Sequence, residues 1–207
     1  MIDAELFGHL YGKNKYRMRL YYPINLNCWD LIRRLTIEQT HDLSTKSSLN
    51  KHIKLPPIDQ IFIDIELKKL GLPKCKSLLA FKRAWPKYEP NPYNLHVDWF
   101  GNDEINHVSI VFPVENCQGT AQFWYDGDYT LDKKIIGTDV TTTYYHVNVK
   151  DSLNLIGSVE ISTTPMLVRT DLPHCAYAGN DYRLVCTMRL TENIDLDTAI
   201  EILSAIQ

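Results

Sequence analysis

The sequence has few cysteines, and their spacing fits neither a set of structural disulfides nor a zinc site. The five are an odd number scattered along the chain, without a CxxC pair. Disulfide-built domains and zinc knuckles use even or closely spaced sets. We therefore expect reduced thiols in a cytosol-like compartment, at Cys28, Cys75, Cys117, Cys175 and Cys186.

The chain also lacks a basic excess and a long apolar run. Its 22 Lys and Arg stand against 25 Asp and Glu, a formal net charge of −3 with a pI near 6.1. Bulk binding of nucleic acid is therefore not expected. No stretch reaches the roughly 18 apolar residues of a membrane span. The start of the chain, Met1–Glu5, carries acidic residues and no apolar core of signal-peptide length. The sequence predicts a cytoplasmic protein without membrane contact, in the host cytoplasm if the chain is viral.

No internal repeat, low-complexity tract or linker divides the 207 residues, which suffice for a single domain with a sizeable core. Residues 1–75 predict a support region with two helices and an early strand. Residues 76–191 form a series of short strand-like runs separated by turn signals. Residues 192–207 predict a closing helix. The fold expected from this order is mainly β (α+β), with helices before and after the strands.

Two segments carry expectations about surfaces. Residues 58–70 predict a helix, and the spacing of Ile58, Ile61, Ile65 and Leu72 suits a helix lying on a sheet. The stretch 126–150 is polar and longer than most connections, and long loops in compact domains are often functional. We expect a loop there that contributes to substrate choice.

The chemistry centres on the segment Leu95–Trp99. In a strand, alternate side chains point to opposite faces, so His96 and Asp98 share one face while Val97 points to the other. His-x-Asp alone is a weak signal, since this composition yields about one such triplet by chance. The pattern gains weight because His174 follows beside a later strand.

Two histidines and one carboxylate form the facial set that holds non-haem Fe(II) and leaves positions open for co-substrate and O₂. His96, Asp98 and His174 supply that set. Arg183 follows nine residues after His174 on the next predicted strand. Its guanidinium offers two parallel, charge-assisted bonds to a carboxylate, which a lysine could not match. Arg189 lies on the same face and is the alternative.

These features together resemble the 2-oxoglutarate and Fe(II)-dependent dioxygenase superfamily. Within it, the chain looks most like small oxygenase-like proteins of bacteriophage and marine metagenomic origin. The resemblance runs from about Leu78 to Leu190. Its carriers are Leu95–Asp98, Phe112–Cys117, Phe123–Tyr125, Pro165–His174 and Tyr182–Leu184.

The resemblance implies a double-stranded β-helix (jelly roll, cupin-like) with His96, Asp98 and His174 as iron ligands and catalytic centre. Arg183 matches the residue that binds the far carboxylate of the co-substrate, 2-oxoglutarate. The implied reaction is oxidative decarboxylation of 2-oxoglutarate to succinate and CO₂, coupled to hydroxylation of a small-molecule or peptide substrate. The cofactor carries the hard chemistry, while the protein orients and shields it.

The chain departs from its relatives at two positions. Relatives often have asparagine where this chain has Val111, and many have Ser or Thr where it has Val185. These departures favour an alternative, a non-enzymatic β-helix module of binding or structural (viral) function with a degenerate metal site. A cupin-type enzyme that uses metal without 2-oxoglutarate ranks last, because its usual ligand set has more histidines close together. The sequence does not indicate the substrate or the oligomeric state.

Overall fold

A computed structural model describes residues 18–41, 48–83, 95–136, 142–177 and 182–206. Within these ranges the chain is mainly β with three helices, as predicted. The helices are α1 (Trp29–Thr40), α2 (Pro57–Lys69) and α3 (Leu196–Ser204). The strands are β1 (Tyr21–Pro23), β2 (Ser48–Ile53), β3 (Cys75–Arg83), β4 (His96–Gly101), β5 (Glu104–Ile105), β6 (Val108–Glu115), β7 (Ala121–Ile136), β8 (Thr142–Glu160), β9 (Met166–Arg169), β10 (His174–Tyr177) and β11 (Arg183–Leu190).

The strands form two antiparallel sheets. One has six strands in the order β1-β9-β6-β11-β3-β2, and the other has five in the order β10-β7-β8-β4-β5. Strand β10 also pairs with β4, so β10, β7, β8 and β4 close into a small four-stranded barrel. None of the helices in the described ranges has the length and hydropathy that crossing a bilayer requires.

Three apolar clusters follow from the period-two alternation of the strands. On β11, Leu184 and Cys186 point toward α1 and α3, while Val185 points to the second sheet. Between the sheets, Val185 packs in one cluster with Trp124 of β7. A third cluster around Val97 fills the small barrel. The six-stranded sheet is therefore covered on both faces, which explains why β6 and β11 are rich in buried apolar residues.

Helix α2 has clear end signals. Pro57 occupies the first turn, where a missing N–H is tolerated. At its end Gly71 adopts φ +65°, and the N–H of Leu72 donates to the carbonyl of Leu67 at 3.0 Å. The Gly71 N–H donates to Lys68 at the same distance, which completes a Schellman motif.

The predicted orientation of α2 is wrong. Ile58, Ile61 and Ile65 are exposed, and the helix residues that face the core are Ile63 and Leu67. Of the four predicted residues, only Leu72, just after the helix, is buried. The reason is that α2 has apolar residues on two sides, so the sequence offers two competing stripes. Only one of them can lie on the sheet.

The loop predicted at 126–150 is also wrong. Strands β7 and β8 extend through most of it as a long hairpin paired from Ala121↔Glu160 to Ile136↔Thr142. Polar residues alternate there with Tyr129, Leu131 and Val147, which enter the barrel cluster. The segment is therefore a one-sided sheet whose polar outer face resembles a loop in composition.

Candidate metal centre

Two neighbouring strands bring the predicted metal residues together. On β4, His96 and Asp98 share one face, while Leu95 and Val97 pack into the barrel cluster on the other, as the alternation predicts. Strand β10 begins at His174, which lies directly opposite His96 in the antiparallel register. Pairing across the sheet thus joins residues that are far apart in the sequence.

The three side chains converge closely enough to hold one ion. Asp98 Oδ1 lies 3.7 Å from His96 Nε2 and 4.0 Å from His174 Nε2. One ligand atom from each residue lies within 4.8 Å of the other two. Two atoms bound to one ion at about 2.1 Å are at most about 4.2 Å apart. Both imidazole–carboxylate pairs satisfy this limit, and the donor set suits Fe(II).

A backbone acceptor orients the buried histidine. Nδ1 of His174 lies 2.8 Å from the carbonyl oxygen of Leu172. A ring whose Nδ1–H donates to a carbonyl keeps an unprotonated Nε2 available as a ligand. The Nε2 of His174 is also the nitrogen that faces Asp98. The side chain is 7% exposed, compared with 33% for His96 and 19% for Asp98, so the site opens on the β4 side.

The backbone of Asp98 is fixed by a buried polar network. Its N–H donates to the Thr170 carbonyl at 3.0 Å, and its carbonyl accepts from the Asn106 N–H at 2.8 Å. The Asn106 amide in turn donates to the Thr170 hydroxyl at 2.9 Å. Sequence reasoning missed Asn106, because nothing in its local pattern indicates that a loop asparagine joins two distant segments.

An aromatic ring borders the open side of the site. Tyr144 of β8 pairs with Asp98, and its ring contacts His96 edge-on at 5.8 Å between centroids. Burial raises the pKa of Tyr144 above its ordinary value, so its phenol remains neutral near pH 7. Tyr144 therefore adds an uncharged wall beside the exposed imidazole.

Arg183 is not part of the metal-binding triad. Its side chain faces the space between the two sheets. Val185, two residues further on β11, packs there, and Cys117 of the same cluster contacts the guanidinium. Burial lowers the pKa of Arg183. Among the described residues, its Nε has no hydrogen-bond partner and no carboxylate forms a salt bridge with it. Arg189, at the other end of β11, is only partly buried.

A second buried donor, which sequence reasoning missed, is Gln122 of β7. Its Nε2 has no hydrogen-bond partner in the described part of the chain, although the residue is 5% exposed. Trp124, two residues further on the same strand, packs between the sheets, so Gln122 points there too. The one available signal was this alternation within the predicted strand at 120–125.

Gln122 and Arg183 come from strands of different sheets. Gln122 pairs with Ala176, near the end of β10, and Tyr177 pairs with Ala121 at the start of β7. Arg183 begins the strand that follows β10. Two unpaired donors thus approach this space from opposite sheets, and a buried donor without an acceptor carries a free-energy cost.

The two positions at which the chain differs from the family it resembles, Val111 and Val185, lie in the apolar wall of this space. Val111 and Val185 are both buried and belong to the cluster that contains Trp124. No family model matches this chain, and comparison with curated proteins finds no match. The functional interpretation therefore depends on the side chains themselves.

Proposed function

We propose that the protein is an oxygenase that depends on Fe(II) and 2-oxoglutarate and oxidises a small-molecule or peptide substrate. The observation that carries this proposal is the convergence of His96, Asp98 and His174 at one edge of the barrel. Two imidazoles and one carboxylate leave about three of six positions on an octahedral ion, enough for a bidentate 2-oxo acid and O₂.

The strand pairing supports a double-stranded β-helix as the framework. Four antiparallel pairs join β3 to β11, β4 to β10, β6 to β9 and β7 to β8. The chain thus pairs as one long ribbon that turns back at the β7–β8 hairpin. Successive pairs alternate between the two sheets, as expected when such a ribbon rolls up. Pairing of β4 with β10 in this ribbon is what places His174 opposite His96.

Each residue of the site then has a role that its surroundings support. His96, Asp98 and His174 would hold the iron, which when bound supplies the redox chemistry of oxidative decarboxylation and substrate oxidation. Arg183 and Gln122 bind the far carboxylate of 2-oxoglutarate. A carboxylate there offsets the cost of burying an unpaired guanidinium and gives both free N–H donors an acceptor.

Apolar side chains exclude water from the co-substrate. Val111, Val185 and Trp124 surround the space between the sheets, and all three are buried. In such a space of low dielectric, charge-assisted hydrogen bonds to a carboxylate are stronger than at the surface. The valines that replace polar residues of the relatives therefore leave Arg183 and Gln122 to supply the polar contacts.

A second candidate is a non-enzymatic module of the same fold. The observation that favours it is the apolar character of Val111 and Val185, which removes two polar contacts to a co-substrate. This candidate requires no metal and no 2-oxoglutarate binding. It does not explain why two buried donors, on Gln122 and Arg183, point into the same space.

Anaerobic titration of Fe(II)-loaded protein with 2-oxoglutarate tests the proposal. We expect the weak visible charge-transfer band of the chelate in the wild type. Arg183→Ala should need at least ~30-fold more 2-oxoglutarate and Gln122→Met ~5-fold more, from the usual strengths of charged and neutral hydrogen bonds. Bound iron without this band would indicate a metal enzyme of another class. Failure to bind iron would indicate the inert module.

A further inference from the structure

Helix α2 exposes an apolar face that no other described part of the chain covers. Ile58 is 70% exposed, Ile61 55%, Phe62 41% and Ile65 48%. Their spacing of three and four residues places them on one side of the helix. The opposite side holds Ile63 and Leu67, which anchor α2 in the core. The exposed four residues, hereafter the α2 face, form a continuous stripe of the kind that marks a protein interaction site.

We propose that the α2 face binds the same face of a second copy of this chain, with the two helices antiparallel. The charges on α2 favour this occupant. The first turn carries Asp59, and the last turn carries Lys68 and Lys69, of which Lys69 already pairs with the buried Glu66 of its own helix. In an antiparallel pair each acidic end meets the basic end of the other helix, whereas a parallel pair would place like charges together. The face is thus complementary to itself, as a two-fold interface requires.

The dimensions of α2 fit a single helix-to-helix contact. Its 13 residues span roughly 20 Å, at about 1.5 Å per residue. A two-fold axis near the middle of the helix places Phe62 of one copy against Ile65 of the second copy. The charged ends then lie outside this apolar centre. The charged rim and apolar centre match the usual anatomy of an interface.

The α2 face is held rigidly, so binding requires little reordering. Gly71, directly after the helix, closely approaches α3: a Cβ built on it would lie 2.7 Å from Ile202 Cγ2 and 3.4 Å from Ile206 Cδ1. Ile206 is itself 52% exposed and adds apolar surface beside this end of α2. One helix pair is at the low end of stable interface sizes, so we expect a dissociation constant in roughly the micromolar range.

Sedimentation equilibrium on the full chain, over about 1 to 200 µM, tests this proposal independently of the metal site. The wild type should change from monomer to dimer over this range. Phe62→Glu should remain monomeric throughout. Ile135→Glu is the matched control, because Ile135 is an exposed isoleucine of β7, and it should dimerise as the wild type does.

Charge reversal tests the antiparallel arrangement. Asp59→Lys and Lys68→Glu should each dimerise several-fold more weakly, because each brings like charges together at both ends. Lys69 is left unchanged because it pairs with the buried Glu66 of its own helix. An equimolar mixture of the two variants should recover dimerisation, since each then meets its complement.

Three results would overturn the proposal. One is a wild type that remains monomeric over the whole range, and another is a dimer that Phe62→Glu leaves intact. The third is a monomer whose thermal stability falls in Phe62→Glu but not in Ile135→Glu, which would assign the α2 face to a contact within the chain.

Discussion

His174 directs its two ring nitrogens to different partners: Nδ1 lies 2.8 Å from the carbonyl oxygen of Leu172, and Nε2 lies 4.0 Å from Asp98 Oδ1. The carbonyl can only accept, so Nδ1 carries a proton, and in the neutral ring the lone pair is then on Nε2. The main chain before β10 therefore orients the ring in the tautomer that a metal requires, before any metal binds.

Metal affinity should depend on the triad and not on nearby histidines in general. His174→Ala and Asp98→Ala should each weaken Fe(II) or Co(II) binding by at least ~100-fold, because loss of even an outer partner of a ligand costs ~10 to 100-fold. Isothermal titration calorimetry under anaerobic conditions measures this.

His107→Ala is the matched control. Its imidazole lies 3.7 Å from Asp171 and is 43% exposed, outside the triad. It should bind metal as tightly as the wild type. An equal loss in His107→Ala and His174→Ala would argue against a defined metal centre.

Removing either unpaired donor should stabilise the protein when no ligand is present. Arg183→Met replaces a buried guanidinium that lacks a carboxylate partner among the described residues, and Gln122→Met replaces a buried amide whose Nε2 is unpaired. We expect the free energy of unfolding to rise by about 1 kcal/mol or more for Arg183→Met and by less for Gln122→Met.

Urea unfolding, with and without 2-oxoglutarate and metal, measures these changes in the free energy of unfolding. The ligands should stabilise the wild type and stabilise Arg183→Met much less, because a ligand stabilises only the state that binds it. If Arg183→Met instead loses about 2 kcal/mol without ligand, the guanidinium has a structural role and the proposed carboxylate site is wrong.

The sequence predicted best the features that depend on local pattern. Most of the strands lie within 76–191 and α3 lies within 192–207, as predicted, because the period of apolar residues is a local signal. His96 and Asp98 share a face for the same reason. The opposition of His174 and His96 could be expected only from the resemblance, since no local pattern specifies which strands pair.

The features that the sequence did not predict depend on how the elements pack, because the sequence alone allows more than one arrangement. The α2 sequence offers two apolar stripes, and the shape of the sheet surface decides that Ile63 rather than Ile61 is buried. Gln122 became a candidate only when its Nε2 was found without an acceptor, which is a property of the packed interior. The hairpin of β7 and β8 was missed because its outer face is polar.

Gly127 should be essential to that hairpin. It lies at φ +152°, where pairing of β7 with β8 shifts register, and a Cβ on it would lie 2.5 Å from the carbonyl oxygen of Ser152. Gly127→Ala should lower the free energy of unfolding by about 2 to 4 kcal/mol, from backbone strain and a clash with main chain.

Gly119→Ala is the control, because Gly119 also has positive φ but nothing lies within 4 Å of a Cβ built on it. It should cost only about 1 kcal/mol, and equal losses would contradict the steric explanation.

The buried cysteines should resist alkylation in the folded protein. Burial raises the pKa of Cys28 and Cys175 to about 11 and that of Cys75 and Cys186 to about 12. Only the thiolate reacts rapidly with iodoacetamide, so at pH 8 these thiols should remain unmodified. Mass spectrometry of native protein should show almost no adduct, whereas protein in urea should take up five, one for each free thiol. Rapid labelling of one native thiol would reveal local opening at that site.

The N-cap of α3 should contribute stability that depends on pH. The Asp195 carboxylate accepts from the Thr198 N–H at 2.9 Å and from its hydroxyl at 2.8 Å, and the backbone bond lowers the pKa of Asp195. A carboxyl whose pKa is lower in the folded state stabilises it above the unfolded pKa of about 3.9, and this contribution is lost as pH falls through the folded pKa.

Asp195→Ala should therefore lower the free energy of unfolding by about 1 kcal/mol at pH 7. The difference should hold down to about pH 5 and shrink below about pH 4, where the wild-type carboxyl becomes protonated. Asp195→Asn, which keeps an acceptor without the charge, should lose less than the alanine variant at pH 7, and its cost relative to the wild type should also shrink at low pH. Urea unfolding at a series of pH values measures all three proteins, and an alanine cost that is the same at pH 7 and pH 3 would mean that shape rather than the carboxylate caps the helix.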